Sequence, residues 1–164
     1  MCSTYAIYIC KTAWGGTSIA ENWLTNGERG YHYTISMDYL IKTLDDLVNQ
    51  GISIDTIDIC WMQGETDAYH EEFAYSYKEN EKILFNYFRE DLNKYCDNIG
   101  IIDAFVCDRT HCVFSNIVNK AKAANADELD DVVIIKTNGE DRKAINLTLP
   151  EGESSHYDSN SLYL

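Results

Sequence analysis

Long apolar runs, basic residues, proline and internal repeats are scarce or missing in this chain of 164 residues. No apolar run reaches the roughly 18 residues that a membrane-spanning helix requires. Lys and Arg number 13 against 27 Asp and Glu, which leaves a formal net charge of −14. Because so acidic a surface repels phosphate backbones and anionic lipid, we expect no nucleic-acid partner and no membrane partner.

Several short sequence signals are also absent. Residues 1–4 lead directly into an apolar run without the charged and apolar regions of a secretory leader, so the localisation stays unknown. No GxGxxG fingerprint and no Walker phosphate loop are present, which argues against dinucleotide and nucleotide chemistry. Cys107 and Cys112 lie close to His111, but no second pair completes four ligands, so no metal site is expected. We expect reduced cysteines in an intracellular protein, with a Cys107–Cys112 disulfide as the alternative in a secreted one.

The residues that are present favour one globular α/β domain over residues 1–164, with 45% hydrophobic residues to build a core. Four apolar, β-rich runs alternate with longer amphipathic patterns. This alternation predicts a parallel sheet with helices on both faces. The predicted strands are 5–13, 54–62, 99–106 and 131–136, and the predicted helices are 35–48, 73–95 and 113–124.

Two predicted loops at the carboxyl ends of strands carry residues suited to chemistry, which is where parallel sheets place their sites. Gly15 and Gly16 follow the first predicted strand and leave their N–H groups unobstructed for an oxyanion. A plain strand-to-helix turn is the alternative there. Gln63 follows the second strand and offers an amide donor. Helix capping by Thr66 or Asp67 is the alternative for that loop.

A third candidate lies near the C-terminus, where Glu153 precedes His156 by three residues. A carboxylate at this spacing can accept the Nδ1–H of the imidazole and leave Nε2 free as a base. An exposed histidine without a role is the alternative.

Together these segments resemble the sialate O-acetylesterase-like family, which includes carbohydrate esterase family 6 and belongs to the SGNH hydrolase superfamily. The sequence KTAWGGTS at residues 11–18 matches the K-x-A-x-G-G-T-S block of that family. The sequence WMQGETDA at residues 61–68 matches its W-x-Q-G-E-x-D-A block, and residues 153–156 stand where it has D-x-x-H. The resemblance covers essentially the whole chain in the right order.

The resemblance implies a three-layer α/β/α fold and the removal of O-acetyl groups from a carbohydrate by a Ser-His-acid mechanism, without a metal or an organic cofactor. It makes His156 the general base and Glu153 its orienting acid.

The resemblance also assigns roles to the two strand-end loops. Gln63 and an N–H at Gly15 or Gly16 would line the oxyanion hole. Glu65 and Asp67 would support the loop of the site.

The chain departs from the family pattern in two ways. Glu153 replaces Asp, which a triad tolerates. More seriously, the nucleophilic serine of the family lies in a G-Q-S-N block after an earlier strand, and no such block is found here; Ser3, Ser18 and Ser159 lack the right context. We expect the first strand of the sheet to be absent as well, which would leave an exposed edge where another chain can pair.

Four explanations of this departure stay open at the level of sequence. The chain is a C-terminal piece of a longer product, or a second chain supplies the missing segment. Alternatively, the domain is an inactive carbohydrate-binding protein, or a structural component that uses the same fold.

Overall fold

The structure is a computed structural model that describes residues 6–107, 112–137 and 147. Its helices are α1 (Tyr31–Asn49), α2 (Glu71–Leu92) and α3 (Ser115–Glu128), and its strands are β1 (Leu24–Thr25), β2 (Glu28–Arg29), β3 (Ile57–Trp61), β4 (Ile99–Ala104) and β5 (Val132–Ile135). A π-helical turn spans Ile19–Trp23 and a 3-10 turn spans Asp67–Tyr69. None of these helices is long and apolar enough to cross a bilayer.

Strands β3, β4 and β5 form a parallel sheet in that order. Ile57 pairs with Ile99, and Ile101 pairs with Val132. Each connection between neighbouring strands contains one long helix, first α2 and then α3. The predicted α/β class is therefore confirmed, and three of the four predicted strands form within two to three residues of their predicted bounds.

The first predicted strand, residues 5–13, is not formed over the part that the structure describes. Residues 6–13 are irregular, and the side chains of Ile7 and Ile9 are 89% and 90% exposed. A strand needs a neighbour that accepts and donates its main-chain hydrogen bonds. Among the described residues no strand pairs with this segment, and β3 pairs with β4 alone. The prediction of a strand here is wrong.

The core forms where the helices pack against the sheet, and α2 contributes more of it than any other element. Its buried residues recur every three to four positions: Ala74, Tyr77, Glu81, Leu84, Phe85, Phe88 and Leu92. From the sheet side, the Trp61 ring lies 5.9 Å from Phe88 and 4.8 Å from Trp23. The aromatic stripe of this helix is thus core, as its spacing predicts.

A short hairpin between the π-helical turn and α1 is an element that the sequence prediction missed. Strands β1 and β2 pair antiparallel across Asn26 and Gly27, whose φ angles are +53° and +80°. Two positive φ angles in a two-residue loop are typical of the Asn-Gly hairpin turn. The Asn-Gly pair was therefore the available signal for this hairpin.

A cluster of buried charges joins β4, α2 and α3. The Lys122 ammonium lies 2.6 Å from an Asp103 carboxylate oxygen and 3.3 Å from a Glu81 oxygen, and all three side chains are fully buried. Burial, with the nearby Glu81 charge, raises the pKa of Asp103 to about 7 although Lys122 opposes the shift. Two carboxylates thus share one ammonium, an arrangement that binds a proton readily as the pH falls.

This cluster predicts a pH dependence of stability. Because the pKa of Asp103 is higher in the folded chain than its ordinary 3.8, the folded state gains a proton between about pH 7 and pH 4 before the unfolded state does. The contribution of Asp103 to stability therefore increases as the pH falls through this range. We expect the wild type to gain stability over Asp103→Asn as the pH is lowered from 7.5 to 4.5, measured by urea unfolding. If the difference in unfolding free energy between the wild type and Asp103→Asn were the same at every pH, the prediction would be contradicted. Asp55 is exposed, so Asp55→Asn is the control, and its difference from the wild type should not change with pH.

Candidate functional site

The loop after β3 and the segment before the π-helical turn are tied together by one amide and one carboxylate. Gln63 Nε2 donates to the Thr17 carbonyl at 2.9 Å and to Asp67 Oδ2 at 2.6 Å. The Asp67 carboxylate also accepts the main-chain N–H of Ile19, with distances of 3.1 and 3.0 Å to its two oxygens. Two segments more than forty residues apart in sequence therefore meet at Gln63 and Asp67.

Asp67 makes these bonds inside the protein, where its side chain is fully buried. Burial raises the pKa of this carboxyl, while the hydrogen bonds from Gln63 and Ile19 oppose the rise. Helix capping, the alternative considered for this loop, does not occur. Helix α2 begins after His70 without a side-chain cap, and Thr66 caps nothing.

The two glycines of the 11–18 block lie in an exposed turn. Gly16 has φ +68°, a conformation that favours glycine, and the space beside both residues is open. Within the described ranges, neither the Gly15 nor the Gly16 N–H donates a hydrogen bond. Both groups are therefore available to an acceptor from outside.

Side chains on either side of the glycines fix this turn. The Trp14 indole N–H donates to Ser36 of α1 at 3.0 Å, and the Thr17 hydroxyl donates to the Trp14 carbonyl at 3.2 Å. The Trp23 indole N–H in turn donates to the Thr17 hydroxyl at 3.0 Å. A glycine-containing turn that is free at its N–H groups is thus held rigidly at both ends.

The amide of Gln63 is fully engaged in this arrangement. Its two hydrogens go to Thr17 and Asp67, and its Oε1 lies 3.3 Å from the Tyr77 hydroxyl. A further acceptor would have to displace one of these partners. The N–H groups of Gly15 and Gly16, by contrast, donate to no other described residue and can receive an acceptor without rearrangement.

Tyr77 and Gly64 are parts of the site that sequence reasoning missed. The helical spacing of residues 73–95 indicates only that Tyr77 lies in the core, yet its hydroxyl donates to the Gln63 carbonyl at 3.0 Å. A buried tyrosine hydroxyl needs a partner, and that requirement was the available signal. Gly64 has φ +134°, and a Cβ there would lie 2.8 Å from Val106 Cγ1 and 3.2 Å from the Tyr77 oxygen.

The remaining predicted site residues are not joined to this network. Glu65 is half-buried, and no side-chain hydrogen bond links it to another described residue. His156 and Glu153 lie outside the described residues. In the part of the chain that the structure describes, no group of three or more His, Cys, Asp or Glu side chains could hold a metal ion.

Comparison with known families decides the identity of the fold and of these motifs. A family model described as carbohydrate esterase, sialic acid-specific acetylesterase, matches residues 3–161, which is nearly the whole chain. The chain belongs to this family. The resemblance seen in the 11–18 and 61–68 blocks is thereby confirmed, and the three-stranded parallel sheet with its helices is consistent with the SGNH-like α/β/α fold.

Solved structures support the same fold for this carbohydrate esterase family member. A protein from Arabidopsis thaliana, determined by X-ray crystallography at 1.6 Å, superimposes with a TM-score of 0.67 at 22% identity. The match covers 90% of the present chain and 52% of the Arabidopsis chain, so the chain spans about half the length of that protein. No curated protein is similar enough to count as a match.

The tight packing at Gly64 predicts a large effect of the smallest possible substitution. Gly64→Ala places a methyl group against Val106 in a backbone conformation that alanine rarely adopts. We expect a loss of about 3 kcal/mol in the free energy of unfolding, from overpacking and backbone strain together. Gly15→Ala is the matched control, since a Cβ there meets nothing within 4 Å. It should change stability by at most about 0.5 kcal/mol in the same urea titration. Equal effects of the two substitutions would contradict the packing argument.

Proposed function

We propose that this chain carries the base and the oxyanion donors of a carbohydrate O-acetylesterase site. The observation that carries the proposal is the hydrogen-bonded joint between Gln63, Asp67 and the Thr17 segment. This joint brings the two family blocks, residues 11–18 and 61–68, into one place. Each block on its own is a loop, whereas together they form one hydrogen-bonded unit that includes Gln63 and the turn at Gly15 and Gly16.

In the proposed reaction, a serine Oγ attacks the carbonyl carbon of the acetyl ester while His156 Nε2 takes the serine proton. Glu153 accepts the Nδ1–H of His156 and holds the ring in the required tautomer. The tetrahedral intermediate expels the sugar oxygen, which receives that proton. Water then attacks the acetyl-serine by the same route and releases acetate.

The negative oxygen of the tetrahedral intermediate is stabilised by N–H donors of the two blocks. The Gly15 or Gly16 N–H supplies the first donor, since both are free. Gln63 supplies the second by exchanging its contact with the Thr17 carbonyl for one with the oxyanion. An oxyanion is a stronger acceptor than a peptide carbonyl, which favours the exchange. Asp67 keeps its own bond to Gln63 and Ile19 and so preserves the geometry, with Glu65 supporting the loop.

The nucleophile of this proposed site comes from a polypeptide segment outside the 164 residues. The edge of β3 away from β4 supports this, because it has no partner within the described ranges and such an edge is a template for another strand. A strand paired there would end beside Gln63, two residues beyond β3. The segment we propose is an apolar strand followed by Gly-Gln-Ser-Asn, either in the same gene product or in a second chain.

Complementation tests this proposal directly. The purified chain is mixed with a peptide that contains an apolar strand and Gly-Gln-Ser-Asn, and acetate release from an O-acetylated sugar is measured. We expect hydrolysis and a fluorophosphonate adduct on the peptide serine only when both components are present. The variant His156→Ala should lower the rate by at least about 1,000-fold, because the general base is lost. The exposed His70→Ala is the matched control and should leave the rate unchanged.

The other outcomes of that experiment are informative. An adduct on a serine of the chain alone would show that the site contains its own nucleophile. Sugar binding without hydrolysis in the mixture would contradict the enzyme and indicate a carbohydrate-binding protein.

The role of Gln63 predicts a specific kinetic effect. In the complemented enzyme, Gln63→Leu removes an oxyanion donor, so we expect kcat to fall about 100-fold with little change in KM. Gln50→Leu, at the exposed end of α1, is the control. A rise in KM with an unchanged kcat would contradict a contact that forms in the transition state.

A further inference from the structure

Tyr77 contacts both oxygens of Gln63 from within the core. Its hydroxyl donates to the main-chain carbonyl at 3.0 Å and lies 3.3 Å from the side-chain Oε1. The hydroxyl has one hydrogen, which the two oxygens share. Since both acceptors of Gln63 face Tyr77, the amide nitrogen faces the other way, toward Thr17 and Asp67.

The main chain at Gly64, next to this contact, is tightly packed. The glycine after Gln63 is packed so closely that an added Cβ would lie 3.2 Å from the Tyr77 oxygen and 3.0 Å from Val118. Only a glycine at position 64 lets the main chain approach the hydroxyl this closely. The contact is therefore a built feature of the fold and not a chance approach of two side chains.

The Tyr77 ring is itself held from α3. The Lys122 ammonium lies 5.3 Å from the ring centroid, within the range of a cation–π contact, and is bonded to Asp103 and Glu81. Asn125 secures Glu81 through a 2.9 Å hydrogen bond to its second carboxylate oxygen. Complete burial and these nearby carboxylates raise the pKa of Tyr77 well above its usual value. The hydroxyl thus keeps its proton and remains a donor at neutral pH.

We infer that Tyr77 is a positioning residue that fixes the orientation of the Gln63 amide and aims its N–H groups at the 14–18 turn. The buried charge cluster under the ring keeps the hydroxyl in place. The catalytic consequence of this inference rests on the proposed function, whereas the contact itself does not. Sequence position alone hides the role, because Tyr77 sits in the middle of an apolar helix face.

The test compares Tyr77→Phe with Tyr87→Phe. Both tyrosines are on α2, and each donates to a main-chain carbonyl, but the Tyr87 hydroxyl bonds Gly27 in the hairpin turn. The readout is the side-chain amide of Gln63 in a ¹H–¹⁵N spectrum of the chain as it exists. We expect Tyr77→Phe to shift this signal and to speed its exchange with water about five- to tenfold, as the loss of one hydrogen bond implies. Tyr87→Phe should leave the Gln63 signal unchanged.

A measurement on the wild type guards against misfolding of the variant. A hydroxyl proton of Tyr77 that is protected from exchange and shows a nuclear Overhauser effect to an Hα of Gly64 is expected, since a Cβ in the place of that hydrogen would lie 3.2 Å from the Tyr77 oxygen. Absence of that proton, or an unchanged Gln63 amide in folded Tyr77→Phe, would overturn the inference.

Kinetics in the complemented enzyme separate this inference from the proposed function. Tyr77→Phe should lower kcat about five- to tenfold and leave KM unchanged. If the Gln63 signal responds but the wild type hydrolyses no ester, Tyr77 positions Gln63 and the proposed function fails. If hydrolysis occurs and neither the signal nor kcat responds, the function holds and the inference fails.

Discussion

Hydrogen bonds to one buried carboxylate, that of Asp67, join the parts of the candidate site. Asp67 accepts the N–H of Ile19 and the amide of Gln63, and these bonds add to the direct bond from Gln63 to the Thr17 carbonyl that joins the two family blocks. Burying this group is unfavourable for its ionised form, as the raised pKa shows, and each hydrogen bond that it accepts offsets part of that cost. Burial of Asp67 thus lowers the stability of the fold, while its hydrogen bond holds Gln63 in place. This arrangement is typical of a site whose donors must stay fixed.

A series of contacts extends from Gln63 into the core behind it. Its carbonyl oxygens meet Tyr77, Tyr77 meets Lys122, and Lys122 is shared by two buried carboxylates on α2 and β4. Replacing such a cluster by apolar residues of similar volume is often neutral or stabilising in other proteins. The unfavourable burial of the Lys122, Glu81 and Asp103 charges is consistent with a role in fixing the positions of α2, α3 and β4 beneath the site.

Sequence reasoning succeeded where the physics is local and failed where it is not. Sequence patterns predicted β3, β4, β5 and the long helices, because in these regions each apolar run became a strand and each stretch with helical spacing became a helix. The predicted strand at 5–13 has an equally good local pattern, yet a strand exists only with a neighbour, which no local pattern records. The site divides likewise. Motif blocks located Gln63 and Asp67, whereas the bond from Tyr77 depends on the packing of α2 against the β3 loop.

The irregular 6–13 segment and the edge of β3 away from β4 have the same feature, which is that neither has a partner strand among the described residues. In a parallel sheet, helices normally cover both faces, and each strand pairs with the strands beside it. Among the described residues, β3 has no partner on its edge away from β4, while Ile7 and Ile9 of the preceding segment are almost fully exposed. One inserted strand would give both a partner: it would pair with β3 on one side and give the 6–13 segment a template on the other. In the site proposed above, such a strand also carries the nucleophilic serine, so the same insertion would supply a sheet partner and a nucleophile together. Folding of the 6–13 segment and catalysis are therefore expected to appear together when the strand is supplied.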